Sequence, residues 1–167
     1  MTNISHDSET PAHRQQVITA VAFIHHTFDG VAKVFLPKRA DTKKFLPGIY
    51  ELPGGHIDFD ENIVEGLKRE VYEEFGVRVK IGDPFVAFDY TNHVKGSHSI
   101  EVIYFATFID SLDAIKLHPE DHSTYEWVSK DELHKVISDQ KGEDDIEIQA
   151  IRKAFTLLEG GPLDFAK

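Results

Sequence analysis

The sequence predicts one layered α/β domain. Apolar segments of strand length alternate with amphipathic segments of helix length, which is the pattern of a sheet covered by helices. The chain has 167 residues, enough to bury a sizeable core, and 41% of them are hydrophobic. The sequence shows no repeat or linker that would divide it. We therefore expect a single domain over residues 14–167, preceded by a disordered polar tail over residues 1–13.

The first part of the chain is predicted to contain a hairpin and a short strand. Residues 17–24 are rich in valine and isoleucine, as in a buried strand, and residues 31–36 form a second apolar segment. The Asp-Gly pair between them is a hairpin turn signal. Residues 50–52 are predicted to be a short strand that enters a tight turn at residues 53–55.

Residues 61–75 are predicted to form an amphipathic helix. Asp58 or Asp60 is expected to cap it, because an aspartate there accepts hydrogen bonds from free amides and suits the helix dipole. Gly76 is the residue type that ends helices in a left-handed conformation. At roughly 100° per residue the apolar residues share one arc. They are Ile63, Val64, Leu67, Val71 and Phe75.

The later part of the chain is predicted to add strands and two more helices. Residues 77–88 read as one or two strands around a turn at residues 82–84. Residues 100–109 are apolar on both faces, which is typical of a central strand. The remaining segments are a loop over residues 111–123, a strand over 125–128, a helix with a capping box at Ser129 and Glu132, and an amphipathic helix over 146–158.

Composition excludes several classes of function. The chain has no cysteine, hence no disulfide, thiolate zinc site or cysteine nucleophile. A net charge of −11 disfavours duplex nucleic acid, but not small phosphorylated ligands that bind with cations. No apolar segment reaches the ~18 residues needed to cross a bilayer, and the first residues do not form a secretory signal. We expect a cytoplasmic protein with no membrane or duplex nucleic-acid partner, and a homodimer stays open.

Three carboxylates, those of Glu70, Glu73 and Glu74, form an arc that borders the apolar face of the predicted helix. Glu70 and Glu74 are one turn apart, and Glu74 overlaps the edge of the core face. Glu65 points away and is interpreted as a solvated charge. Like charges at this spacing repel, and a carboxylate at the core margin loses hydration. A hard divalent cation relieves both effects because it prefers oxygen ligands, so the arc favours a metal site over a solvated face.

Neighbouring residues have two open roles each. Gly66 costs about 1 kcal/mol relative to alanine in a helix, so it either leaves space for a ligand or permits close packing. Arg69 is expected to hold the carboxylates in place by pairing with Glu73, with phosphate contact as its second role. Gly54 and Gly55 either form only a tight turn or aim a backbone group at a metal or phosphate.

One longer pattern unites these residues. From Gly55 to Val77, every defined position has the residue type and spacing of the Nudix box. A hairpin before it, and a Trp-Val strand with a serine-capped helix after it, are also similar. The sequence therefore resembles the Nudix hydrolase family. The matching positions are Gly55, Glu61, Arg69, Glu70, Val71, Glu73, Glu74, Gly76 and Val77.

This resemblance implies a fold, a reaction and a cofactor. The fold is a mixed β-sheet sandwiched between α-helices. The reaction is the hydrolysis of a nucleoside diphosphate linked to another moiety, and it depends on Mg²⁺ or Mn²⁺. By position, Glu70 and Glu74 are implied as principal metal ligands, Glu73 and the Gly54 carbonyl as further ligands, and Gly55, Glu61, Arg69 and Gly76 as supports of the site.

The resemblance also suggests a general base. Family members often carry an acid six residues before the tryptophan, and here that residue is Asp121. It is a candidate metal ligand or base, and equally a surface-loop acid. Glu70 and Glu73 are the first candidates for the base, and Arg69 completes the predicted catalytic set.

Substrate choice is predicted from the surroundings of the box. Arg39, His56, Phe88 and Tyr90 are expected to line the pocket. The start of the box resembles members that act on nucleoside triphosphates, including oxidised ones, which would give a monophosphate and diphosphate. ADP-ribose, dinucleoside polyphosphates and nucleotide sugars are alternatives, and a noncatalytic nucleotide-binding module is an alternative of another class. An isomerase with the same fold is a further alternative class. Its chemistry resembles a family that uses a catalytic cysteine, and this chain has no cysteine.

Overall fold

A computed structural model describes residues 11–161 of the chain. Two short 3₁₀ helices, Leu112–Ala114 and Lys130–Lys135, accompany the main elements. In chain order these elements are β1 (Gln16–Phe28), β2 (Val31–Arg39), β3 (Gly54–His56), α1 (Ile63–Phe75), β4 (Val79–Asn92), β5 (Ser97–Phe108), β6 (His122–Val128) and α2 (Ile146–Leu158).

The strands form a mixed sheet in the order β4-β5-β1-β2-β6, and β3 pairs separately with β1. Strands β1 and β5 are parallel, whereas the other pairs are antiparallel. The end of β1 forms the predicted hairpin with β2. Residues 19–21 of β1 pair with residues 54–56, so the sheet holds the glycine turn directly beside its central strand.

Alternate side chains of β1 enter cores on opposite sides of the sheet. Phe23 packs edge-on against Phe155 of α2, with ring centroids 5.2 Å apart. Ala22 lies in the other core with Leu67 and Val71 of α1. Period-two alternation thus places the sheet between the two long helices, and the predicted fold class is confirmed. Within residues 11–161, no helix is long and apolar enough to span a membrane.

Helix α1 begins two residues later than predicted and has a different cap. The Asn62 side chain accepts hydrogen bonds from the amides of Val64 and Glu65, at 3.0 and 3.1 Å. Neither Asp58 nor Asp60 is therefore the cap. Asparagine is as favourable as aspartate at this position, so the local pattern did not distinguish them.

Two residues with positive φ flank helix α1. Asp60 has φ 64°, a left-handed conformation that aspartate tolerates better than most residues. Gly76 has φ 67°, and its amide donates to the Tyr72 carbonyl. Gly76 therefore ends the helix as predicted.

The short strand was predicted too early in the sequence. Residues 50–52 contribute only an isolated bridge, between Tyr50 and Lys38. Strand β3 begins at Gly54, where the absence of a side chain permits the close approach to β1 described below.

The predicted turn at residues 82–84 is wrong. Strand β4 continues through them to Asn92, and its pairing with β5 shifts register on both sides of Pro84. Proline has no amide to donate to the ladder, so the chain bulges there instead of reversing.

Segments near the C-terminus match the predictions in part. Helix α2 has the predicted bounds. The helix expected after Ser129 is only a 3₁₀ helix, although the Glu132 carboxylate accepts from the Ser129 amide at 3.0 Å. Strand β6 begins at His122, inside the predicted loop.

Packing of the chain starts before the predicted domain boundary. Residues 1–10 of the predicted tail lie outside the described residues. Ala12 is buried, and its amide donates to the Lys95 carbonyl at 2.8 Å. Ala12, which the prediction assigned to the tail, is therefore packed against the loop between β4 and β5, and disorder of the tail stays a prediction.

Candidate active site

Helix α1 presents the predicted acidic arc beside β3. The side chains of Glu70 and Glu74 are 16% and 18% exposed, whereas that of Glu73 is 58% exposed. Glu65 is exposed and pairs with Lys68 at 2.9 Å, as its predicted position on the helix, away from the arc, implies. The arc thus consists of two largely buried carboxylates and one at the solvent edge.

Arg69 connects the carboxylates of the arc. Its Nε lies 2.7 Å from Glu61 Oε1, and its Nη1 lies 2.8 Å from Glu70 Oε1 and 3.1 Å from Glu73 Oε2. Its Nη2 donates to the His56 carbonyl at 3.1 Å. The hydrogen bond with Arg69 lowers the pKa of Glu61 and raises that of the guanidinium. The predicted pairing with Glu73 is present, as one of several bonds that hold the arc against β3.

Three glycines make close approaches possible around the arc. A Cβ on Gly54, whose φ is +142°, would lie 2.2 Å from a carbonyl oxygen of β1. A Cβ on Gly55 would lie 2.5 Å from Glu70 Oε2. A Cβ on Gly66 would lie 2.8 Å from Glu61 Oε2, which favours close packing over a ligand space. Gly54 therefore lets β3 join β1, and Gly55 leaves room for the Glu70 carboxylate.

Behind Glu74 lies a buried chain of polar side chains that the sequence did not reveal. His122 Nε2 lies 3.0 Å from Glu51 Oε1, and its Nδ1 lies 3.8 Å from Glu74 Oε2. The imidazole also stacks on the Phe75 ring, with centroids 5.2 Å apart. Arg39 Nη1 lies 3.4 Å from both carboxylate oxygens of Glu51. Glu51 thus links Arg39 to the box helix through His122.

Burial determines the protonation of these acids. It raises the pKa of Glu70 to about 7, although Arg69 opposes the shift. It raises the pKa of Glu74 well above its usual range, and the charges of Glu51 and Glu70 add to the effect. Burial alone would raise the pKa of Glu51 too, but Arg39 and the neighbouring imidazole outweigh it. The pKa of Glu51 therefore lies below its usual value. The protein alone therefore does not fully compensate a negative charge on Glu70 and Glu74.

These side chains line a cavity of about 230 Å³. Three of the four predicted substrate residues, Arg39, His56 and Tyr90, lie on its wall. Phe88 instead lines a neighbouring cavity. The structure therefore places most of the predicted site around one opening, and the acids on its wall are Glu51, Glu70, Glu73, Glu74, Glu101, Asp121 and Glu147.

Asp121 lies on the same cavity, from the loop that precedes β6. Its Oδ1 is 2.8 Å from Lys43 Nζ, and its side chain is 36% exposed. Its charge also contributes to the raised pKa of Glu74. The acid that was chosen by its spacing from the tryptophan therefore lines the same cavity as the box carboxylates. Its role as metal ligand or general base stays a prediction.

The donor atoms suit a hard divalent ion in type and charge. Among residues 11–161, no three acidic or histidine side chains converge closely enough to hold an ion as they stand. Arg69 bonds to Glu70 and Glu73 in this arrangement, while Glu74 Oε2 is buried without a hydrogen-bond partner in the described part of the chain. Mg²⁺ and Mn²⁺ prefer carboxylate and carbonyl oxygens, which are the groups present.

A second cavity, of about 300 Å³, adjoins the first. Phe88 and Tyr90 of β4 both line it, so the prediction that they share one strand face is confirmed. The Phe45 ring, from the loop after β2, lies nearly parallel to the Tyr90 ring, with centroids 6.3 Å apart and planes inclined by 13°. Phe45 was missed because it is a single aromatic residue in a polar loop.

Buried charges at the junction of the two cavities were also missed. Glu101 of β5 is 7% exposed, and Thr19 Oγ1 donates to its Oε1 at 3.3 Å. Glu147 of α2 accepts from the Leu52 amide at 3.1 Å and from Lys141 Nζ. The available signal was an acid inside an otherwise apolar strand, which is rare unless the acid has a partner or a function.

Glu101→Gln is expected to flatten the pH dependence of stability. Burial, followed by the charge of Glu147, raises the pKa of Glu101 to about 8, although Lys141 opposes the shift. An unfolded glutamate titrates near 4.3, so between about pH 5 and 8 the native state binds more protons and stability falls as pH rises. Urea titrations at pH 5, 6.5 and 8 should show a smaller decline for the variant. The groups that face Glu101 are Thr19, Glu51, Tyr90, Lys141 and Glu147.

A matched control is Glu120→Gln, on the exposed loop before β6. It removes one negative charge without removing a buried one, so it should leave the decline unchanged. A Glu101→Gln profile parallel to that of the wild type would contradict a protonated Glu101 in the native state.

The sheet between two helices, with a glycine turn and an acidic helix at one cavity, is the arrangement of a Nudix domain. The family described as NUDIX domain matches residues 18–149. The chain therefore belongs to the Nudix family.

Individual relatives share shorter or weaker similarity. The uncharacterized Nudix hydrolase YfcD of Escherichia coli K12 is 40% identical over 58 residues, which are 34% of this chain and 31% of the relative. The chain thus spans about a third of that relative. The 8-oxo-dGTP diphosphatase of Buchnera aphidicola is 27% identical over 60% of this chain and 71% of its own length.

A solved structure shows the same fold. The MutT protein of Methanosarcina mazei superposes with a TM-score of 0.65 at 23% identity, over 89% of this chain and 98% of its own. The arrangement of sheet and helices is therefore shared at low sequence identity.

Proposed function

We propose that this chain hydrolyses a diphosphate bond in a nucleoside diphosphate-linked substrate, with a divalent metal ion as cofactor. The observation that carries the proposal is the pair of buried carboxylates, Glu70 and Glu74, at the wall of a cavity. Both have raised pKa values, and Glu74 Oε2 has no hydrogen-bond partner within residues 11–161. Buried acids of this kind call for a cation, and clustered acids with a bound cation are suited to phosphate chemistry.

The metal would be held by the predicted ligands. We assign Glu70, Glu73 and Glu74 to it, with the Gly54 carbonyl as a backbone ligand and Asp121 as a further acid from the loop that precedes β6. When bound, the ion neutralises phosphate oxygens and lowers the pKa of a coordinated water.

The chain's own residues have separate tasks in this proposal. Glu73 is the most exposed acid of the arc and is assigned as the base that takes the proton of the attacking water. Arg69 positions the acids, because its bonds run to Glu61, Glu70 and Glu73. Arg39 also lines the cavity and is assigned to the phosphate chain, as is His56.

Within this reaction we propose a nucleoside triphosphate as substrate, including an oxidised or non-standard one. Water would attack phosphorus, the bridging P–O bond would break, and a monophosphate and diphosphate would leave. The similarity to an enzyme named 8-oxo-dGTP diphosphatase supports this choice. No box carboxylate is replaced, which favours an enzyme over a noncatalytic binding module.

A substrate screen tests the proposal directly. The full chain is incubated with nucleoside triphosphates, 8-oxo-dGTP, ADP-ribose, dinucleoside polyphosphates and nucleotide sugars, in Mg²⁺ or Mn²⁺. We expect diphosphate and monophosphate from triphosphates, and no product with excess chelator. Faster release from another class would overturn the triphosphate assignment, and no release from any of them would overturn hydrolysis and favour the binding module.

A further inference from the structure

The two cavities share part of their walls. Phe45, Glu51, Tyr90, Glu101 and Glu147 line both. The first cavity carries the box carboxylates, whereas the second adds aromatic and aliphatic side chains, such as Phe88, Leu46 and Ile146, to a lining that also contains polar and charged residues. A single ligand that extends from one cavity into the other would therefore place a charged part in the first cavity and a flat apolar part in the second.

We propose that the second cavity holds the nucleobase of the substrate, with the base ring between Phe45 and Tyr90 and its polar edge at the Glu101 carboxyl. This proposal rests on the proposed function, because it assigns the phosphate chain to the first cavity. It adds a binding site for the base and a residue, Glu101, that recognises the polar edge of the base.

Ring geometry supports the first half of the proposal. The two rings are inclined by only 13°, and their centroids are 6.3 Å apart. A base between two parallel rings needs about 7 Å between the ring planes, so the Phe45 and Tyr90 rings have to separate by at least about 0.7 Å beyond the observed centroid distance of 6.3 Å. Phe45 lies on a half-exposed loop, where the small adjustment needed is inexpensive.

The chemistry of Glu101 supports the second half. Its side chain is more than nine-tenths buried, yet it lines both cavities, and its carboxyl accepts a hydrogen bond from Thr19 Oγ1 at 3.3 Å. With its pKa raised to about 8 by burial, it is mainly protonated at neutral pH. A protonated carboxyl offers one donor beside one acceptor, which complements a base edge with an acceptor next to a donor. The carboxylates around it also favour a neutral base over an anionic group.

Binding of free nucleosides tests the site without hydrolysis. Adenosine, guanosine, cytidine and uridine carry base and sugar but no phosphate, so their affinity depends on neither metal nor turnover. They are titrated into the full chain and followed by NMR chemical shifts. We expect saturable binding, weakened about tenfold or more by Phe45→Leu, which removes stacking, and by Glu101→Leu, which removes the polar contact.

Conservative and remote variants separate recognition from folding. Glu101→Gln should stay within about threefold of the wild type, because an amide also offers a donor beside an acceptor. Phe59→Leu is the control, since Phe59 is 98% exposed and lines neither cavity. Phe45→Leu changes a loop residue outside both cores, so it keeps the test valid if Glu101→Leu fails to fold.

The outcomes distinguish this inference from the proposed function. Nucleoside binding that depends on Phe45 and Glu101, in a chain that hydrolyses nothing, would retain the base site and overturn the hydrolase. Hydrolysis with KM unchanged in Phe45→Leu and Glu101→Leu would retain the hydrolase and overturn the base site. Failure of all four nucleosides to bind would also overturn the base site.

Discussion

Glu70→Gln is expected to lower turnover by about 10²- to 10⁴-fold, because stabilisation of developing charge by a bound metal is worth several kcal/mol. The fold should survive, since glutamine keeps the shape of a side chain that burial already disfavours as an anion. Turnover of the best substrate from the screen is measured, together with the rise in Tm on adding Mg²⁺. Both should fall in the variant.

Glu65→Gln provides the matched control on the same helix. Glu65 is exposed, pairs with Lys68, and lies away from the cavity, so its variant should keep turnover and the Mg²⁺-dependent rise in Tm. Near-normal turnover in Glu70→Gln and in Glu73→Gln would refute the assignment of the acidic arc. A large loss of turnover in Glu65→Gln would show that removing any negative charge from α1 lowers turnover. That result would contradict a site formed by the acidic arc.

Gly54→Ala is expected to lower the free energy of unfolding by about 3–5 kcal/mol, from positive-φ strain together with overpacking. The added Cβ would lie 2.2 Å from the Ala20 carbonyl oxygen and 2.7 Å from the Val21 Cα, and neither backbone atom can move alone. The contact forces β3 away from β1 and shifts the turn that supports Glu70. Urea denaturation followed by circular dichroism measures the change.

Gly76→Ala separates the two contributions. Gly76 also has positive φ, at 67°, but no atom of residues 11–161 beyond its chain neighbours lies within 4 Å of the position its Cβ would take. Gly76→Ala should therefore lower the free energy of unfolding only through the strain of a positive φ, by about 1–2 kcal/mol. Equal losses in the two variants would mean that the approach of β3 to β1 adds nothing to stability.

Local patterns predicted the elements whose causes lie within a few residues. The arc of Glu70, Glu73 and Glu74 follows from helical periodicity alone, and so does the exclusion of Glu65. The end of α1 at Gly76 and the bounds of α2 also have local causes, namely a left-handed cap and an unbroken amphipathic pattern. The cap of α1 was missed because Asp and Asn are nearly equivalent there, and backbone geometry decided for Asn62.

Residues that depend on distant contacts were not predictable in this way. Glu51 and His122 are 71 positions apart, and they meet because β2 pairs with β6 on one side and contacts the backbone of residues 50 and 51 on the other. Glu101 and Thr19 meet because β5 and β1 are parallel neighbours. Their buried state depends on this topology, which periodicity within one segment does not report. The predicted turn at Pro84 failed for the same reason, because pairing with β5 overrides a local turn signal.

The shared wall between the cavities has a consequence for divergence within the family. The acids assigned to bond cleavage lie on α1, whereas Phe45, Tyr90 and Glu101 come from a loop and two strands outside the box. A substitution at Phe45 or Tyr90 alters what fits the second cavity while leaving Arg69 and its carboxylates in contact. Preference for a new ligand is therefore able to evolve by single substitutions, each of which leaves the residues assigned to bond cleavage in place.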